Sequence, residues 1–295
     1  MVDYLRDAIV LGGVYTVFAL GLTLSWGVLN VLNLAHGNVL VAAALTGYLL
    51  GEAGLPIPAL LPLCILAGAL LGALLEVVVF RPIRARARSA EAAGLAILIG
   101  SIAAGSVLFA AAEEVTDGRV RTIGTGTFEV TTLPLFGTTV TTLQLLIVGL
   151  SLVLGLGLAW FVRRSRTGRA LRAIAHDPTT CGLLGVSVNR LGIATMAVAG
   201  GLAGAAGLLL ALQIGSVEAS MTESLLLKAF AVIVIGGVGS IGGAVLGAYL
   251  IAAAEVATVA LVGSGAREAV VFAIILILLL ARPQGLFART AWQRA

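Results

Sequence analysis

Residues 8–28 read AIVLGGVYTVFALGLTLSWGV, and Leu29-Asn30-Val31-Leu32-Asn33-Leu34-Ala35-His36-Gly37-Asn38 follows before the chain turns apolar again. A helix crosses the roughly 30 Å hydrocarbon core of a bilayer with about 20 apolar residues. The first run meets that length without a charge. Further apolar runs lie at 34–50, 57–80, 92–112, 143–162, 191–213, 225–238, 241–262 and 268–281. They are continuously apolar, whereas barrel strands alternate over about ten residues. The reading is an all-α polytopic membrane protein.

Composition agrees. The 295 residues are 60% hydrophobic and 11% charged, against about 25% charged in ordinary soluble domains. So much apolar surface needs lipid as its solvent, so the bilayer is the first expected partner. The 38 glycines point to close helix packing and local breaks. The N-terminus has no basic leader region, so the first run is read as a retained span. Cys64 and Cys181 fall in a span and in a loop, which argues against a disulfide.

The formal charge of +4 is topological rather than a nucleic-acid surface, because its loops lack interleaved aromatics. Arg81, Arg84, Arg86 and Arg88 form one cationic loop. Arg163, Arg164, Arg166, Arg169, Arg172 and Arg190 form a second, and Arg282, Arg289 and Arg294 form a tail. By the positive-inside rule all three face the cytoplasm. The N-terminus is then outside and the C-terminus inside, in a single transmembrane domain over 1–295. The acidic, Thr-rich loop 113–142 becomes an outer segment with a small hairpin or cap.

No phosphate-cradling Gly-x-x-x-x-Gly-Lys-Ser/Thr loop exists, since Lys228 is the sole lysine. The two histidines, His36 and His176, stand apart, and no metal-ligand spacing occurs. The chain reads as a transport component and not an enzyme.

Two Gly/polar stretches interrupt the helical pattern: 27–38, and Gly236-Gly237-Val238-Gly239-Ser240-Ile241-Gly242-Gly243. Such interruptions in both halves mark discontinuous helices around a translocation site. The plainer readings are a tight interhelical turn and simple close packing. Asn30, Asn33, His36 and Asn38 offer donors and acceptors without fixed charge, suited to a zwitterionic or neutral polar solute. Equally, they can satisfy the broken backbone. Asn30, Asn33, His36, Gly37 and Glu255 are the candidate pathway residues. Glu255 lies deep in its run, as a gate or as a structural carboxyl. Glu76 and Lys228 are placed near the interfaces, where long side chains snorkel.

The cytoplasmic loop 163–190 contains Asp177-Pro178, an N-cap and N1 pair. A short helix is expected from Pro178 to about Leu184, ending at Gly185. Cys181, Leu183 and Leu184 give it a small apolar face, suited to docking another protein or to packing on its own bundle. The candidate coupling residues are Gly168, Ala173, Asp177, Pro178, Leu183, Leu184 and Gly185.

Four stretches carry a family resemblance: Gly21–Gly37, Gly168–Arg190, Lys228–Gly247 and Arg282-Pro283-Gln284-Gly285-Leu286-Phe287. They resemble permease subunits of branched-chain amino acid ABC importers of the high-affinity leucine/isoleucine/valine uptake type. The resemblance implies a type II importer permease bundle of eight or nine spans in the bacterial inner membrane, with broken or re-entrant helices. It implies a second, related permease subunit and two ATPase subunits that bind the ATP, so that this chain needs no cofactor of its own. A solute-binding protein would deliver substrate at the outer face. Urea and short-chain amides are alternative substrates within the same family. A self-contained secondary transporter is the competing class, and there Glu255 would be the ion-coupling candidate.

Overall fold

The computed structural model describes residues 2–30, 32–123, 130–135 and 138–281. The Arg282–Phe287 stretch, the tail arginines and residues 124–129 lie outside the described residues. Twelve α-helices make up most of the described chain. The first, α1 (Val2–Leu29), runs to the interruption. Then come α2 (His36–Glu52) and α3 (Ile57–Leu75). A π-helical turn, Glu76–Phe80, leads from α3 into α4 (Arg81–Arg86). After α5 (Ala90–Thr116) and a short strand β1 (Arg121–Thr122), strands β2 (Thr132–Leu135) and β3 (Thr138–Thr141) pair antiparallel. The loop expected to carry a small hairpin or cap therefore holds a hairpin.

The second half holds α6 (Thr142–Arg164), α7 (Arg166–His176), α8 (Pro178–Leu183) and α9 (Val188–Ile214). Strand β4 (Ser216–Val217) pairs with β1, and α10 (Met221–Gly236), α11 (Ile241–Leu261) and α12 (Arg267–Ala281) follow. Each of the nine apolar runs falls largely on a helix. Among the described residues six helices are long and apolar enough to cross a bilayer: α1, the Ile57–Arg86 unit, α5, α6, α9 and α11. Helices α2, α10 and α12 have 17, 16 and 15 residues. Length and composition thus supply six spans, and the expected eight or nine is reached only by counting the short helices.

Helices α1 and α9 are buried along most of their length and form the centre. The others ring them and turn large apolar side chains outward, such as Leu95, Ile99 and Val107 on α5. In water that surface would be unstable; in lipid it is the normal exterior. The centre is held by backbone proximity. A Cβ on Gly68 would run into the carbonyl of Gly200, one on Gly72 into Met196, and one on Gly204 into Cys64. Glycine is required there because lipid gives no hydrophobic drive between helices. Dispersion then depends on close approach.

The two interruptions resolve differently. Gly237 and Gly239 have positive φ, and Ser240 caps α11 by accepting from the Gly243 N–H at 3.1 Å. This is a tight turn, with α10 and α11 packed through Gly236 and Gly243. At the first interruption Asn30 takes φ +52 and the chain doubles back. The His36 ring then stacks on Phe18, with centroids 5.0 Å apart. Phe18 is mid-way along α1, so α2 begins inside the bundle. At about 1.5 Å per residue its 17 residues cover roughly 25 Å. The two interruptions also meet, since a Cβ on Gly27 would lie 2.7 Å from Gly239 Cα.

Substituting Gly200→Val should part α3 from α9, at a cost of about 1–3 kcal/mol. Gly149→Ala, where nothing lies within 4 Å, should be neutral. Thermal unfolding in detergent checks this; equal midpoints for the two variants would refute the seam.

Candidate functional site

The turn between α1 and α2 is built from polar side chains that satisfy buried backbone. Asn33 accepts the Ala35 N–H at 3.0 Å, and Ser101 on α5 accepts the Leu34 N–H at 3.1 Å. Thr222, near the start of α10, donates to Asn38 at 3.2 Å, and Gly37 packs on Thr222. The N-terminal ends of α2 and α10 therefore meet against α1 and α5. Each end carries the positive pole of a helix dipole. His36 is 1% exposed, and its Nε2 has no hydrogen-bond partner among the described residues. Asn33, His36 and Gly37 are thus brought together, and Asn33 serves the backbone.

Asn30 lies apart from them. It borders a cavity of about 930 Å³ at the far end of α1. Trp26, Arg84, Arg88, His176, Pro178 and Gly239 share its wall. One cavity is therefore bounded by both interruptions, by the first cationic loop and by the start of α8.

The loop after α6 folds as two capped helices. Ser165 caps α7 through the Gly168 N–H at 2.8 Å. A side chain at Gly168 would strike the carbonyls of Phe161 and Val162. Leu171 and Ile174 of α7 are buried, and Ala173 faces outward while its carbonyl accepts the Asp177 N–H at 3.0 Å. Asp177 accepts the Thr179 and Thr180 N–H groups at 2.9 and 3.0 Å, as the Asp-Pro pair foretold. The Thr180 hydroxyl also donates to Asp177, and this contact above all holds its carboxyl below the usual carboxylate range. Helix α8 ends in a Schellman motif: Val186 N–H to the Cys181 carbonyl, Gly185 N–H to Gly182, with Gly185 at φ +84. The expected apolar face needs one correction. Cys181 turns inward, whereas Leu183 and Leu184 are 85% and 77% exposed.

Glu255 belongs to a separate cluster. Its carboxylate accepts from Tyr15 at 2.7 Å, from Lys228 at 2.8 Å and from Arg267 at 3.2 Å. Lys228 does not snorkel: it is buried and also donates to the Tyr15 hydroxyl at 3.1 Å. Glu76 is likewise fully buried and pairs with Arg84 across the π-helical turn. Both corrections have one cause. A partner one to two turns away within the protein competes with the distant interface. Tyr15, Ser101, Thr222 and Arg267 escaped the sequence reading. The close α10–α11 turn carried the signal, since pairing Gly236 with Gly243 sets Lys228 within one helical turn of Glu255. Among the described residues no three His, Cys, Asp or Glu side chains gather as metal ligands.

These features define a multi-pass α-helical membrane protein with a polar interhelical turn inside the bundle and a capped helical knob beside an internal cavity. Residues 4–280 match the family described as branched-chain amino acid transport system / permease component. The chain belongs to that family. It is 31% identical to the high-affinity branched-chain amino acid transport system permease protein BraD of Pseudomonas aeruginosa, over 97% of this chain and 95% of that one. It is 30% identical to the corresponding permease protein LivH of Escherichia coli K12, over 96% and 94%. Among solved structures it resembles PsaBC from Streptococcus pneumoniae in complex with Fab. That likeness has a TM-score of 0.50 and 15% identity, covers 99% of this chain and 95% of that one, and extends to the fold alone.

Removing one member of a buried ion pair costs about 3–5 kcal/mol, while replacing both with apolar groups is far milder. Glu255→Leu should therefore lower the unfolding midpoint sharply, and Lys228→Met added to it should recover at least half the loss. A double variant no better than the single one would show that the pair is uncoupled.

Proposed function

We propose that this chain is the membrane-spanning permease subunit of an ATP-driven importer for branched-chain or related hydrophobic amino acids. The observation that carries the proposal is the cavity of about 930 Å³, walled at once by α8 through Pro178 and by both interruptions through Asn30 and Gly239. A push on α8 reaches that wall directly. Energy must come from another chain, because Lys228 leaves no lysine for a nucleotide-binding loop.

In this reading two ATPase subunits dock on Leu183 and Leu184, with Gly168, Ala173, Asp177, Pro178 and Gly185 setting the knob's shape. A second, related permease subunit completes the pathway, and a solute-binding protein delivers substrate at the end where α1 begins. The cationic loops favour an α8 end in the cytoplasm, with the N-terminus outside and the C-terminus inside. The pathway passes the meeting point of α2 and α10, where His36 and the helix N-termini face a zwitterion part-way across. Asn30 lines the inner cavity. A secondary transporter would need a carboxylate free to bind a coupling ion, and Glu255 is already held by three donors.

Leu184→Glu should cut co-purification of the ATPase subunits at least tenfold, the size of a lost interface anchor, while membrane insertion stays normal. Undiminished co-purification removes the docking role. His36→Ala should lower amino-acid uptake at least fivefold at unchanged expression. Unchanged uptake takes His36 out of the pathway. Competition by acetamide or urea stronger than by leucine would move the substrate to the amide class.

A further inference from the structure

At the end of α1 opposite Asn30 lies a second cavity of about 390 Å³, within the roughly 300–1,000 Å³ range of small-molecule sites. Its wall combines three kinds of surface. Lys228, Arg267 and Tyr15 present donors. Asp7 presents a carboxylate, bonded to Arg6 at 3.0 Å. Leu11, Leu210, Leu225, Val256 and Val259 form an apolar side.

The charges beneath it do not balance. Lys228 and Arg267 both point to one Glu255 oxygen, and Tyr15 donates to the other. Two cations thus share a single carboxylate, leaving one positive charge. Lys228 is buried, and a buried charge is costly unless it is paired. Its ammonium carries three donors, of which Tyr15 and Glu255 take two. A second carboxylate at the cavity floor would restore neutrality and accept from both cations.

We infer that this cavity is an outer recognition site for an α-amino acid with an apolar side chain. The substrate carboxylate sits on Lys228 and Arg267, and its ammonium lies toward Asp7. The aliphatic side chain packs on the Leu225–Val256 side. Tyr15 and Glu255 are positioning residues that hold Lys228 in place. The site rests on the amino-acid reading above and adds a second station, distinct from the His36 turn and displaced toward the end where α1 begins.

The test uses the permease assembled with its membrane and ATPase partners in nanodiscs, with the binding protein left out. Equilibrium binding of radiolabelled L-leucine is measured against unlabelled leucine, leucinol, which lacks the carboxylate, and 4-methylpentanoate, which lacks the ammonium. Saturable leucine binding is expected, with leucinol competing at least tenfold more weakly than leucine. Arg267→Gln, at a half-exposed position, should weaken leucine and 4-methylpentanoate about tenfold and leave leucinol unchanged. Val256→Phe, which fills the cavity, should abolish binding while the variant still assembles. The proposal is overturned by no saturable binding in the wild type, by leucinol competing as well as leucine, or by binding indifferent to both substitutions. ATP-driven uptake by the complete system separates the two claims. Uptake without binding here sinks only this site, and loss of leucine uptake in the unmutated system sinks the parent reading.

Discussion

A backbone group inside a bilayer must find its hydrogen bond within the protein, and the turn between α1 and α2 is where that constraint bites hardest. Helix α1 is continuous to Leu29, so its carbonyls and amides are paired along the span. Past Asn30 the chain runs back into the bundle without helical bonds. Asn33 and Ser101 supply what the helix no longer does. Only with those acceptors in place can α2 begin beside Phe18. Only then do the N-termini of α2 and α10 face each other in the interior.

That arrangement needs space, and glycine supplies it. Gly21 lies under the His36 ring, Gly37 against Thr222, and Gly27 against Gly239. The α3–α9 seam does the same for the bundle as a whole. A rigid centre of backbone contacts carries the short helices, and the two interruptions border the cavity that α8 also borders. Motion at α8 therefore meets a wall made of the two turns, where the chain is least tied by helical hydrogen bonds. The cluster of buried Tyr15, Lys228 and Glu255 with half-exposed Arg267 fastens α1, α10, α11 and α12 at the other end.

Much of this was legible in the sequence. Apolar length gave nine of the twelve helices, and Asp177-Pro178 with Gly185 gave α8 almost residue for residue, because caps are local chemistry. The interruption at 27–38 was visible as a polar cluster. How it folds was not, since that depends on Ser101 from a distant helix. Lys228 and Glu76 were misplaced for the same reason. Snorkelling is argued from distance to an interface, whereas Lys228's partner lies across a turn whose register shows only once Gly236 and Gly243 are paired, and Glu76's partner Arg84 is brought round by the π-helical turn. Cys181 and Leu183 were assigned to one face because a six-residue helix has too few turns to reveal which side its neighbours cover.

The central claim is that translocation through this chain is driven by subunits that bind at α8. Leucine flux into proteoliposomes tests it most directly. The purified permease alone should give no flux, and ATP-dependent accumulation should appear once the ATPase subunits, the second permease subunit and the binding protein are added. Leucine flux through the isolated chain, without ATPase or binding protein, would contradict the account.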